Sequence, residues 1–65
     1  MLCAGIDVGT QSVKAVIFDG ERVLGHKLHI TEEEAATASR KVYEELLAEL
    51  NLGTKDVERI FATGC

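Results

Sequence analysis

One stretch constrains this chain more than any other: Gly5-Ile6-Asp7-Val8-Gly9-Thr10-Gln11-Ser12-Val13-Lys14. An apolar run from Leu2 to Ile6 leads into an acid, Gly9 and Thr10 make a tight bend, and a second apolar run leads away from Val13 to Phe18. The pattern predicts two strands, Leu2 to Asp7 and Ser12 to Asp19, joined by a turn. Consecutive backbone N–H groups in a tight turn form an anion-binding concavity. Gly9 allows an unusual φ there, or a close approach of the backbone to a ligand. Thr10 and Ser12 add hydroxyl donors, and Lys14 adds a cation two residues along the strand from Ser12, on the same face. Asp7 repels phosphate unless it holds Mg²⁺, directly or through water. Magnesium keeps several waters and is commonly held by one or two carboxylates together with phosphate oxygens.

Two common phosphate motifs are absent. There is no Gly-x-x-x-x-Gly-Lys-Ser/Thr and no Gly-x-Gly-x-x-Gly ahead of a helix, so neither a P-loop nor a dinucleotide fingerprint fits. What remains is Asp-x-Gly-Thr-x-Ser-x-Lys between two strands. It resembles the first phosphate loop of the actin, sugar-kinase and heat-shock-chaperone ATPase superfamily. A hairpin turn with one glycine and a few polar residues accounts for Gly9 or Thr10 singly, but not for the combined pattern.

The chain has 65 residues. A domain of this size buries only about 60% of the surface its unfolded chain exposes. That is too little to enclose a nucleotide between two lobes, so the expectation is the N-terminal fragment of a larger domain. The apolar stretch Ile60 to Cys65, with no cap or polar tail, agrees. A net charge of −4 and the lack of any Lys/Arg stripe argue against nucleic acid. No apolar run approaches the ~20 residues that span a membrane. The N-terminus lacks the basic region and cleavage site of a signal peptide, so the expected compartment is the cytoplasm. The two cysteines, Cys3 and Cys65, have no metal-ligand spacing. Cys3, in an apolar strand, reads as core.

The second strand is apolar on both faces beyond Lys14, which predicts a central strand covered on two sides. Asp19-Gly20 predicts a type I′ hairpin turn. A third strand then runs from about Glu21 to Ile30. Leu24, His26, Leu28 and Ile30 share one face, and Val23, Gly25, Lys27 and His29 the other, as expected nearer a sheet edge. His26 and His29 therefore cannot share a metal. Thr31 and Glu34 read as a capping box, with Ile30 and Ala35 as its staple, and the carboxylates of Glu32, Glu33 and Glu34 suit the first turn of a helix. Ala35, Ala38, Val42, Leu46 and Leu50, widened by Tyr43 and Leu47, form the stripe that packs on the sheet. The predicted helix ends near Asn51, with Gly53 as its left-handed cap. Thr54 to Val57 reads as one capped turn and Arg59 to Thr63 as a fourth strand, parallel to its neighbour after a crossover. The fold class is α/β, in the order β-β-β-α-β, and resembles the ribonuclease H-like half-domain of the actin-like ATPases.

Within that superfamily the chain resembles the activators of 2-hydroxyacyl-CoA dehydratases and the ATPase subunits of benzoyl-CoA reductases. Gly-Ile-Asp-Val-Gly-Thr, the Asp-Gly hairpin, the helix and the closing Ala62-Thr63-Gly64 match in order and spacing. The family continues that last motif with tyrosine, where this chain has Cys65. The resemblance implies ATP and Mg²⁺ as ligands, a homodimer bridging one [4Fe-4S] cluster whose ligands lie outside this chain, and ATP-driven electron transfer to an acyl-CoA dehydratase or reductase component. It implies that the backbone of Gly9, Thr10 and Gln11 contacts the β- and γ-phosphates. Thr10 and Ser12 would donate hydroxyls, Lys14 balance phosphate charge, and Asp7 orient Mg²⁺ or its water. No residue here is a convincing general base, and because one lobe carries one phosphate loop and no adenine pocket, this chain alone is expected to be inactive as an ATPase. Two alternatives stay open. The first stretch is equally like the start of glycerol- and xylulose-type carbohydrate kinases, although those place a longer aromatic segment before the first helix. A binding module that has lost turnover is the other.

Overall fold

The computed structural model describes residues 1–64, and the expectations placed on Cys65 lie outside them. The elements are β1 (Leu2–Val8), β2 (Ser12–Asp19), β3 (Arg22–Ile30), α1 (Ala35–Glu49), a 3-10 turn at Thr54–Asp56 and β4 (Arg59–Gly64). They form one sheet in the order β3-β2-β1-β4, antiparallel except for the parallel pair β1 and β4. The predicted order of elements and the parallel fourth strand are both present.

Strand alternation and the helical stripe meet in one core. Ala4, Val13, Ala15 and Ile17 of the sheet pack on Ala38, Val42, Tyr43, Leu46 and Leu47 of α1. Burying one such aliphatic side chain stabilises by about 1.5–3 kcal/mol. Gly25 admits the end of the helix to β3: a Cβ there would stand 3.2 Å from both Leu50 methyls and 3.3 Å from Leu46 Cδ1. Cys3 is buried, as expected of a core cysteine.

Four local expectations need correction. The capping box does not form. Thr31 Oγ1 accepts the N–H of Glu33, two residues on, at 3.0 Å, and Glu34 takes the N-cap position with extended backbone and no side-chain cap. The Thr31 N–H is already committed to the Gln11 carbonyl at 2.9 Å, which keeps this segment extended. The Glu33 carboxylate goes instead to Lys41 at 2.7 Å, and that bond holds its pKa below the usual value. Ile30 is 81% exposed and cannot staple.

At the other end Asn51, not Gly53, adopts the left-handed conformation, with φ 59°. Leu52 N–H donates to Leu47 O and Asn51 N–H to Ala48 O, the two bonds of a Schellman cap. Leu52 then packs against the core, which fixes the cap one residue after Leu50. Gly53 donates its N–H to the Asp56 carboxylate and so caps the 3-10 turn.

The hairpin turn is also displaced. Asp19 still pairs with Arg22, so the loop residues are Gly20 and Glu21, and only Gly20 has positive φ, at 64°. Glu21 N–H reaches back to Asp19 O, making a three-residue turn about Gly20 rather than a type I′ turn. The pairing shifts register between Ile17 and Phe18, which leaves Leu24 as the extra residue of β3.

Finally, β2 is central but covered on one face only. Val16 and Phe18 are half-buried on the face away from α1, the single α-helix among the described residues. The face of β3 that α1 covers is the polar one. Lys27 pairs with Glu49 and Glu45, and His29 Nε2 lies 3.0 Å from Glu45 Oε1. His26 lies on the opposite face, beside Leu28 and the exposed Ile30.

Candidate functional site

The site begins at the β1–β2 turn. Gly9 N–H donates to Ser12 O at 2.7 Å and closes the bend. A Cβ on Gly9 would fall 2.9 Å from Ser12 Oγ. Gly9 φ is not positive, so what glycine provides here is room beside the Ser12 hydroxyl rather than a left-handed backbone. Thr10 and Gln11 stand exposed at the tip, and the Gln11 carbonyl ties the turn to the β3–α1 linker through Thr31.

Behind the tip, register decides which side chains meet. Ile6 and Val8 pack against the core, so Asp7 points to the face away from α1. Asp7 pairs with Lys14 on β2 and with Thr63 on β4. Three polar side chains therefore stand in a row across three strands, with Ser12 two residues from Lys14 on the same face. Thr63 Oγ1 donates to Asp7 Oδ1 at 3.2 Å. Asp7 and Lys14 make no ion pair with each other, and both are exposed. A cavity of about 270 Å³ opens over the row, lined by Gly5, Asp7, Lys14, Val16, Phe61 and Thr63, with Ile6 also contributing. Gly5 keeps its floor low: a Cβ there would stand 3.1 Å from Val16 Cγ1.

The fold thus gathers Asp7, Ser12 and Lys14 on one face, beside the Gly9–Ser12 turn. Thr63 joins them, a residue that sequence reasoning singled out only as part of a motif. Its signal was a lone polar residue in the apolar run Ile60-Phe61-Ala62-Thr63. What placed it beside Asp7 was parallel pairing across the crossover.

The donor set suits one metal and not another. Among the described residues no group of three or more His, Cys, Asp or Glu converges on a cation site. A single carboxylate, whose second oxygen has no partner among the described residues, beside a tight turn fits Mg²⁺, an ion that draws its remaining ligands from phosphate and water. An iron–sulfur cluster does not fit the described residues. It needs several converging thiolates, and Cys3 is buried in β1. No described helix is long and apolar enough to cross a membrane.

No family model matches the sequence, and no curated protein matches it. Solved structures do. The activator of 2-hydroxyisocaproyl-CoA dehydratase from Clostridium difficile, with bound ADPNP, superposes with a TM-score of 0.87 at 26% identity, covering 98% of this chain and 24% of that one. Component A of (R)-2-hydroxyglutaryl-CoA dehydratase from Acidaminococcus fermentans gives 0.88 at 23% identity, covering 100% of this chain and 25% of that one. A Ppx/GppA family member from Aquifex aeolicus gives 0.60 at 24% identity. The chain spans about a quarter of the length of each. Its sheet and crossover helix have the architecture of an actin-like ATPase half-domain, and over its whole length the chain is similar in structure to dehydratase activators.

Proposed function

We propose that this chain is the N-terminal, phosphate-binding part of an ATP-binding dehydratase activator. The observation that carries the reading is the convergence of the Gly9 turn, Asp7 and Lys14 on one sheet face, in a fold that matches an activator solved with a bound ATP analogue. The linker from β3 to α1 is only Thr31 to Glu34, which favours the activator over the carbohydrate-kinase alternative with its longer aromatic segment.

The chain's own residues have separate tasks. The backbone N–H groups of Thr10 and Gln11 bind the β- and γ-phosphates, Gly9 shapes the bend because its own N–H is taken by the Ser12 carbonyl, and the hydroxyls of Thr10 and Ser12 add donors. Lys14, unpaired by any carboxylate among the described residues, offsets phosphate charge. Asp7 would hold Mg²⁺ or orient its water, and the metal would supply charge neutralisation between phosphate oxygens. The adenine pocket and the water-activating group belong to the rest of a larger protein. In that protein the nucleotide would bind two conformations unequally, as it must to shift their populations. Reading the shift as low-potential electron transfer by a cytoplasmic homodimer, to a dehydratase or reductase component, extends the same proposal. The described residues supply none of the cluster ligands.

The test is Asp7→Asn in the full-length protein. Mg·ATP-dependent activity and calorimetric Mg·ATP binding should fall at least tenfold while circular dichroism stays unchanged, because the carboxylate is exposed and its structural loss is small. Normal binding and activity in this variant would reduce Asp7 to an ordinary strand-end acid.

A further inference from the structure

We propose that Thr63 is a positioning residue for Asp7, so that β4 completes the magnesium and phosphate site; the inference rests on the nucleotide reading above. Asp7 stands between two direct cross-strand neighbours, Lys14 on β2 and Thr63 on β4. Such neighbours have Cβ atoms about 4.5–5.5 Å apart, within reach of an ion pair. Yet the carboxylate turns to Thr63, whose hydroxyl donates to Oδ1 at 3.2 Å, and makes no ion pair with Lys14. The torsion that turns a carboxylate is broad and soft, so a single donor selects its orientation. With Oδ1 engaged, Oδ2 makes no hydrogen bond among the described residues and remains open to a cation.

The hydroxyl therefore separates two charges that would otherwise neutralise each other. Asp7 stays available to a cation and Lys14 to a phosphate, on either side of the same cavity. Because Thr63 arrives only after the crossover through α1, the loop between β1 and β2 does not assemble the site by itself. The chain must finish its parallel strand first.

The experiment compares Thr63→Val and Thr63→Ser in the full-length protein, by calorimetric titration with ATP in excess Mg²⁺ and again with the metal removed by EDTA. Valine keeps the branched shape and suits a strand. It should weaken Mg·ATP binding roughly tenfold, as expected for a lost hydrogen bond to a charged group. Metal-free binding should change much less, and serine should restore the wild-type value. In the Asp7→Asn background, Thr63→Val should add almost nothing. If the wild type binds Mg·ATP and Thr63→Val binds it equally well, the Thr63 inference fails while the nucleotide reading stands. Equal losses with and without metal, or full additivity with Asp7→Asn, would likewise overturn it. If the wild type shows no metal-dependent binding, both fail together. Circular dichroism checks each variant, and Thr63→Ala replaces valine if valine disturbs the sheet.

Discussion

Truncating Leu46 tests whether α1 is docked on the sheet as described. Leu46 is 1% exposed, lies at the middle of the buried stripe between Val42 and Leu50, and reaches the position where a Gly25 Cβ would be. Leucine-to-alanine changes at such sites cost about 2.7–5 kcal/mol, from lost transfer energy plus the cavity left behind. The one-helix layer gives the neighbours some room to collapse, which places Leu46→Ala near the lower end, at about 3 kcal/mol. A single core in a chain this short rarely supplies more than about 3–5 kcal/mol in total. The substitution should therefore remove most of the stability and populate unfolded chain at 25 °C. With a urea slope near 1 kcal/mol/M for a small domain, the midpoint should drop by about 3 M, or the folded baseline vanish. Tyr43, the single tyrosine in a chain without tryptophan, is buried on the same helix and reports the transition by fluorescence. Leu46→Met, nearly equal in volume, should cost less than about 1.5 kcal/mol. A loss below about 1 kcal/mol for Leu46→Ala would mean that α1 does not pack on β2 and β3 as found.

Gly25→Ala should destabilise by roughly 1–3 kcal/mol through overpacking against Leu50 and Leu46, and adding Leu50→Ala should recover part of that loss in urea titrations. The Tyr43 hydroxyl is buried without a hydrogen-bond partner among the described residues, so Tyr43→Phe should be neutral or stabilising by up to about 1 kcal/mol rather than costly. Burial holds the Tyr43 phenol above its ordinary value of 10.0. Its contribution is therefore fully present below pH 10 and lost as pH rises through the folded-state value. Ultraviolet titration should place phenolate formation above the ordinary midpoint, and Tyr43→Phe should flatten the alkaline loss of stability. Phenolate formation at the ordinary midpoint would show that the ring is solvated.

The order of elements was legible because each signal was local. Apolar runs marked β1 and β2 around the Gly9 turn, period-two alternation marked β3, and the stripe from Ala35 to Leu50 marked the helix, although Ala35 itself is exposed and the buried stripe begins at Ala38. The misplaced features were contests between similar local options, decided by packing. Thr31 could cap Glu34 in sequence terms, but its backbone was claimed by Gln11 and its hydroxyl by Glu33. Gly53 was the better left-handed candidate by propensity, yet Leu52 had to reach the core, and that put Asn51 at the cap. On β3, alternation separated the faces but did not say which one met the helix. In the structure the Gly25 face meets it, with Leu46 and Leu50 against Gly25, Lys27 paired with Glu49, and His29 Nε2 within hydrogen-bond distance of Glu45. Ser12 and Lys14 could be assigned to one face from spacing alone, whereas Asp7 joins them through the register that pairs it with Lys14. Thr63 could not, because its neighbour lies 56 residues away and is fixed only by the parallel register.

Amide chemical shifts of the isotope-labelled chain, titrated with Mg·ATP up to millimolar concentrations, test the central claim most directly. The account predicts saturating, Mg²⁺-dependent shifts at Gly9, Thr10, Gln11 and Ser12, extending to Lys14 and Thr63, while the exposed face of α1 around Lys41 and Glu44 stays still. Shifts absent from the Gly9–Ser12 turn, or centred on the Lys27–Glu49 edge of β3 and α1, would contradict it.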